Sequence, residues 1–136
     1  MKFAVAVLAC SMTLTAAARL KPDATVSAQA PDADAHKAWM NDATDLQEDI
    51  RDAMRAQDGA KIADAATKIE ALMAKTEAYW SAKKAADVVT LAQTARSHAK
   101  DVATLGKAGK FDQSNEAFGK LNTTCNTCHD LHPEKR

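Results

Sequence analysis

The sequence predicts an all-α fold, an antiparallel up-down-up-down four-helix bundle. Alanine is abundant from Asp32 onward, and Pro133 is the only proline between that residue and the C-terminus. Both observations favour helix, because alanine has a high helix propensity and proline interrupts helices. Apolar residues recur at helical spacing in four successive segments, and the alternation typical of strands is absent from the sequence. Four amphipathic helices with short connections pack most simply as such a bundle.

The first two helices are predicted over about 32–57 and 60–81. Acidic residues at the start of the first helix suit the positive end of its dipole, and Asp58-Gly59 is a turn signal between the two helices. The apolar stripe of the first helix consists of Trp39, Met40, Ala43, Leu46, Ile50, Ala53 and Met54. The stripe of the second consists of Ile62, Ala65, Ala66, Ile69, Leu72, Met73, Thr76, Tyr79 and Trp80.

The third and fourth helices are predicted over about 84–107 and 111–130. The segment Gly106-Lys107-Ala108-Gly109 separates them, because glycine supplies the backbone freedom that a helix end needs, and Pro133 ends the fourth helix. The third stripe consists of Val88, Val89, Ala92, Ala95, Ala99, Val102 and Leu105. The fourth consists of Phe111, Ser114, Phe118, Leu121, Cys125 and Cys128.

Near the end of the fourth helix the sequence reads Cys125-Asn126-Thr127-Cys128-His129, the C-x-x-C-H pattern of covalent haem attachment. Two thiols can add to the haem vinyl groups as thioethers, and the histidine can ligate the iron. On a helix these three side chains leave from one face. A redox dithiol is expected beside a βαβ pattern and a zinc site needs four ligands, so neither alternative suits this segment. The motif predicts one haem c bound covalently through Cys125 and Cys128, with His129 as the proximal iron ligand.

The position of the motif adds a second clue, because the whole predicted globule precedes it and only seven residues follow it. An all-helical body with a C-terminal C-x-x-C-H resembles the class II c-type cytochromes, the cytochrome c′ family. The resemblance covers roughly residue 32 to the C-terminus and implies haem near the C-terminal end of helix four. Members of that family usually carry an arginine four residues after the ligating histidine, where this chain has Pro133. Lys135, Arg136 or His132 remain as candidates for contact with a haem propionate.

The sixth iron ligand is the question that decides function. In an antiparallel bundle the end of helix four meets the start of helix one, so His36, Trp39 and Met40 lie nearest the haem. Low-spin members of the family carry a methionine early in helix one, and the resemblance therefore implies Met40 as the distal ligand. A core-filling role for Met40 stays open, as does a bis-histidine site through His36, for which a solvent-exposed or propionate-contacting role is favoured. A five-coordinate site with Leu46 as distal blocker is the remaining alternative.

Three further side chains receive structural rather than functional interpretations. Trp80 lies at the end of helix two and is expected to pack in the core. Met73 is likewise expected in the core, and His98 on the surface of helix three.

The preferred function is an exported monohaem electron carrier that is not an enzyme and exchanges one electron at a time with redox partner proteins. The alternative is a five-coordinate, cytochrome c′-like protein that binds small gases such as NO or CO. The sequence contains no catalytic motif that would support an enzymatic function instead of these two hypotheses. Residues 31–136 hold 15 basic and 17 acidic residues, a net charge of −2, which gives no electrostatic case for nucleic acid binding. A monomer or a homodimer through helices one and two remains open.

The N-terminus predicts export to the periplasm. Residues 1–30 are interpreted as a signal peptide and short leader, and 31–136 as one cytochrome domain. Met1-Lys2 is a minimal charged segment, and the apolar run Phe3–Ala9 is followed by small residues. Cleavage is possible after Ala18, Ala28 or Ala30, with no single site favoured. Lipid anchoring through Cys10 is possible, but an incidental cysteine inside a removed signal is preferred.

Overall fold

The computed structural model describes residues 32–133, which form four helices and no strand. The helices are α1 (Ala33–Arg55), α2 (Gly59–Ala82), α3 (Ala86–Lys107) and α4 (Phe111–Leu131). All predicted helix ends lie within two residues of the observed ones. Consecutive helices pack against each other, α1 on α2, α2 on α3 and α3 on α4, which confirms the all-helical bundle. No helix in 32–133 is both long and apolar enough to cross a membrane, and the predicted signal peptide lies outside the described residues.

Side-chain contacts between helix ends define the direction of each helix. The indole Nε1 of Trp80, near the end of α2, donates to Nε2 of His36 in the first turn of α1 at 3.1 Å. Nε2 of His132, just after α4, lies 2.9 Å from a carboxylate oxygen of Asp87 at the start of α3. The starts of α1 and α3 therefore share one end of the bundle with the ends of α2 and α4, as an up-down-up-down arrangement requires. We call this the cavity end, and the opposite end the far end.

Each connection between helices is three residues long and has the same backbone conformation. The middle residue is left-handed in every case, with φ of 52° at Gln57, 60° at Lys84 and 70° at Gly109. In the first loop, the amide of Asp58 donates to the carbonyl of Ala53 at 2.9 Å and the amide of Gln57 to that of Met54 at 3.1 Å. The same pair of hydrogen bonds recurs in the other two loops, which defines a Schellman motif at each helix end. These tight turns are what keep neighbouring helices antiparallel.

Acidic side chains begin the first two helices. A carboxylate oxygen of Asp32 accepts from the amide of Ala35 at 2.8 Å, and one of Asp58 accepts from the amide of Lys61 at 3.0 Å. These are N-cap hydrogen bonds, which satisfy amides that have no partner inside the helix. The backbone amide of Lys61 holds the pKa of Asp58 below its ordinary value. Asp58 therefore acts as a helix cap, and the predicted Asp58-Gly59 turn is centred one residue earlier, at Gln57.

The core is packed unevenly along the bundle. The larger side chains that are fully buried are mostly on the far-end half: Ile50, Ile62, Ile69, Val102, Ser114 and Leu121. Val88 is the exception, because it lies at the cavity end. Ser114 satisfies its buried hydroxyl by donating to the carbonyl of Val102 at 3.0 Å. The branched aliphatic layer holds the four helices together away from the cavity.

Two glycines allow α2 and α3 to approach each other closely at the far end. A Cβ atom on Gly106 would lie 2.4 Å from Cγ2 of Ile62, and one on Gly59 would lie 2.4 Å from the carbonyl oxygen of Gly106. Gly106 therefore remains inside α3 and is buried, whereas the sequence predicted that it would take part in the helix break. The left-handed residue of that loop is Gly109 instead.

We predict that Gly106→Ala lowers the free energy of unfolding by about 1–3 kcal/mol, because the added methyl overpacks a closed contact with Ile62. Gly119→Ala is the matched control, since a Cβ there meets no atom within 4 Å. The control change should stabilise α4 by up to about 1 kcal/mol through helix propensity. Denaturant unfolding of both variants checks the pair, and equal effects of the two substitutions would contradict the close packing of α2 and α3.

We also predict that Gln57→Gly raises the free energy of unfolding by about 1 kcal/mol, because glycine adopts the left-handed conformation without a Cβ penalty. Gly109→Ala introduces that penalty at the equivalent position of the last loop and should lower stability by a similar amount. Thermal unfolding measures both changes. A loss of stability in Gln57→Gly would mean that the loop does not depend on this conformation.

Candidate functional site

A cavity lies at the cavity end of the bundle and is lined by residues from all four helices. It contains about 580 Å³ of space outside protein atoms, including the part that opens to solvent. The part of this space that the centre of a water-sized molecule can occupy is about 50 Å³. Most of its wall is small or apolar, formed by Ala43, Met73, Val88, Leu91, Ala92 and Ala95. No Asp, Glu, Lys or Arg of the described chain is among the lining residues.

The three side chains of the C-x-x-C-H motif line this cavity together. Cys125, Cys128 and His129 lie in the last two turns of α4, at i, i+3 and i+4, so they share the helix face that points into the space. Cys125 also packs against the hydrophobic core. Neither cysteine forms a disulfide with another described residue. The structure therefore agrees with the prediction that these three side chains share one face of α4.

The environment of Cys125 does not suit a redox dithiol. Burial raises the pKa of its thiol to about 11, and the neighbouring Cys128 contributes in the same direction. Reactive cysteines in disulfide chemistry have lowered pKa values, because the thiolate is the nucleophile. The thiol at Cys125 is thus held neutral in an apolar wall.

From α1, His36 and Met40 line the same cavity, one helical turn apart. Met40 is half-buried and packs against the core residues. Of the four α1 residues considered for the distal side of a haem, two therefore line the cavity and two do not. Trp39 packs beside the cavity without lining it, and Leu46 borders a separate surface groove with Asp42 and Lys75.

His36 differs most from its sequence-based interpretation. It was expected to be exposed or to face a propionate, yet only 5% of its surface is accessible. Its ring stacks on Tyr79, with ring centres 4.8 Å apart and an angle of 12° between the planes. Trp80 meets the ring edge-to-face at 5.3 Å and donates to its Nε2. The end of α2 thus covers the start of α1 and encloses the imidazole, although the sequence suggested an exposed helix start.

Burial also sets the charge of this imidazole. The pKa of His36 lies below its ordinary value, mainly because burial disfavours the charged ring and further because His129 and Lys83 are nearby. An indole N–H can only donate, so Nε2 of His36 must be the accepting nitrogen. The neutral ring therefore carries its proton on Nδ1.

This aromatic cluster was missed at the level of sequence, although a signal was present. Both tryptophans and the only tyrosine of the chain meet around His36, while the whole sequence has only three phenylalanines besides. Trp80 was expected in the core, but it is half-buried and also lines the cavity. Met73 is buried as predicted and reaches the cavity as well. His98 was expected at the surface and is instead half-buried.

His132, just after α4, contacts α3 and does not line the cavity. His132 pairs with Asp87, and only 15% of the His132 side chain is exposed. The pKa of Asp87 is lowered first by the amide of Val88 and then by the charge of His132. His132 was one candidate for a propionate contact; the other two, Lys135 and Arg136, lie outside the described residues.

The cavity fits a haem by the chemistry of its wall. Apolar and small residues suit the macrocycle, two thiols could form thioethers, and imidazole and thioether groups could ligate iron. Within residues 32–133, no three His, Cys, Asp or Glu side chains are arranged to hold a metal ion by themselves. A haem differs from such a site, because its own four nitrogens supply the equatorial ligands.

Comparison of the chain with protein-family models, with curated proteins and with solved structures yields no match. The functional interpretation therefore depends on the motif and on the residues that the bundle places around it.

Proposed function

We propose that this protein is an exported monohaem c-type cytochrome, similar to the low-spin members of class II, that carries one electron at a time between redox partner proteins. The observation that carries the proposal is the shared cavity: the C-x-x-C-H motif of α4 and the Met40 side chain of α1 line one apolar space. If the C-x-x-C-H pattern had arisen by chance, there would be no reason for α1 to place a possible iron ligand in the same cavity.

Each residue has a defined role in this proposal. Cys125 and Cys128 would hold the haem as thioethers, His129 would be the proximal ligand and Met40 the distal ligand. When bound, the haem supplies an iron that alternates between the ferric and ferrous states. The apolar wall would limit the access of water, and the thioether of Met40 as a ligand would raise the reduction potential. No substrate chemistry is assigned to the side chains.

The α1 residues that line the cavity favour an iron with a protein ligand on its sixth position over an iron that is open to gases. Leu46 was the residue considered as a blocker of the distal face, but it borders a groove elsewhere on the surface. The α1 residues that line the cavity in its place include a thioether and an imidazole, both of which can coordinate iron. The electron carrier is therefore the function that the geometry supports best.

We predict that the chain, expressed in a host with haem-maturation machinery, carries one covalent haem and that Cys125→Ser with Cys128→Ser carries none. Intact-protein mass measures the attachment. Because the far end has its own aliphatic layer, loss of the cofactor should destabilise mainly the cavity end. Hydrogen exchange should then accelerate more in 36–47 and 124–129 than in 59–69. Absence of covalent haem from the wild-type protein would refute the proposed function.

We predict that Met40→Ala converts the iron from low to high spin, opens it to CO and lowers the reduction potential, because a thioether favours ferrous iron. Loss of packing alone would cost about 2–5 kcal/mol of stability and leave the spin state unchanged. Absorption spectra of the ferric, ferrous and CO-treated protein measure the difference.

His36→Ala is the matched control for this change, because His36 lines the same cavity one turn earlier. It should keep the low-spin spectrum. If His36→Ala loses that spectrum and Met40→Ala keeps it, the site is bis-histidine. If the wild type is already high spin, the gas-binding function replaces electron transfer.

A further inference from the structure

The cavity offers two side chains that can occupy one distal position. His36 and Met40 lie at i and i+4 on the same face of α1, and both line the space that His129 enters from α4. Imidazole is a common ligand of iron in proteins, so nothing in the chemistry of the two groups alone excludes His36. A feature of the surrounding structure must decide between them.

Trp80 supplies that feature. Its indole Nε1 lies 3.1 Å from Nε2 of His36, and the indole N–H donates to that nitrogen. A metal bond needs the same lone pair that accepts this hydrogen bond. The other ring nitrogen, Nδ1, carries the proton of the neutral ring and has no lone pair in the ring plane to offer.

The ring of His36 is also held in place against rotation. Tyr79 stacks on one face at 4.8 Å, Trp80 meets the ring edge-to-face, and 5% of the residue surface is exposed. Rotating the imidazole would break the hydrogen bond to Trp80 and the stack on Tyr79 together. By contrast, the thioether of Met40 is only a weak hydrogen-bond acceptor, so a protein donor competes little with a metal for its sulfur.

We propose that Trp80 is the residue that selects the distal ligand: by occupying Nε2 of His36 it keeps the imidazole off the iron and leaves the position to Met40. The proposal rests on the proposed function, because it concerns ligation of a haem. Trp80 acts through His36 and is a positioning residue.

The test compares the holoprotein with Trp80→Phe, which retains an aromatic ring and removes the N–H donor. The wild type should show the long-wavelength ferric charge-transfer band that marks methionine–iron ligation. Trp80→Phe should stay low spin, lose that band and shift to a lower reduction potential, because histidine replaces the thioether. Trp80→Phe with His36→Ala should recover the band, since the competing imidazole is gone.

Trp39→Phe is the matched control. Trp39 also meets the His36 ring edge-to-face, with ring centres 6.2 Å apart, but the hydrogen bond to Nε2 comes from Trp80. This variant should keep the methionine band. A general loss of aromatic packing would affect both tryptophan variants alike.

Several results would overturn the proposal. They are a methionine band that persists in Trp80→Phe, a band that stays lost after His36→Ala is added, and a wild type that is bis-histidine or five-coordinate. Intact mass separates these from failure of the proposed function, in which the wild type would carry no covalent haem at all. If Trp80→Phe does not fold, nitrogen NMR of the reduced wild type decides: a proton on Nδ1 of His36 supports the proposal, and a proton on Nε2 overturns it.

Discussion

The alternating direction of the four helices is the constraint on which the candidate site depends. Three short loops with one shared backbone conformation reverse the chain each time. As a result, the first turns of α1 and the last turns of α4 lie at the same end and line one cavity, although most of the domain separates them in sequence. Pairing of His132 with Asp87 and of Trp80 with His36 joins the helices at that end. A change of direction in any one helix would separate Met40 from the C-x-x-C-H motif.

The uneven core explains how a bundle can contain a cavity and still be held together. Isoleucine, leucine and valine side chains fill the far-end half, where Gly59 and Gly106 allow α2 and α3 to approach closely. Around the cavity, the small side chains of Ala43, Ala92 and Ala95 leave space between the helices. Burial of apolar surface is the main favourable contribution to folding, so this half has less stabilisation from protein alone. A bound macrocycle would supply the missing apolar contacts.

Two buried polar groups at the cavity end have specific hydrogen-bond partners. His36 accepts from Trp80, and buried Thr76 donates to the carbonyl of Leu72 at 3.1 Å. In a wall without Asp, Glu, Lys or Arg, such hydrogen bonds have unusual weight, because a buried polar group without a partner is costly. They also restrict which lone pairs face the cavity.

Much of this protein could be predicted from its sequence, because the relevant signals are local. Helical periodicity placed all four helices within two residues of their ends, and the spacing of Cys125, Cys128 and His129 placed them on one face of α4. Antiparallel packing of short-looped helices was enough to bring Met40 near the motif. The glycines were harder to interpret, because composition does not distinguish a glycine that ends a helix from one such as Gly106 that admits a neighbouring side chain.

The state of His36 could be decided only by the tertiary structure. From sequence it lies at the exposed start of a helix, and its enclosure comes from Tyr79 and from Trp80, 44 residues later in the chain. The same holds for Leu46 and Met73, since a helical stripe is wider than the cavity and the rotation of each helix selects which members reach it. The sequence by itself determined the helices and the shared helix face of Cys125, Cys128 and His129. Which side chains share the cavity, and which nitrogen of His36 accepts a hydrogen bond, depends on long-range packing that no local pattern encodes.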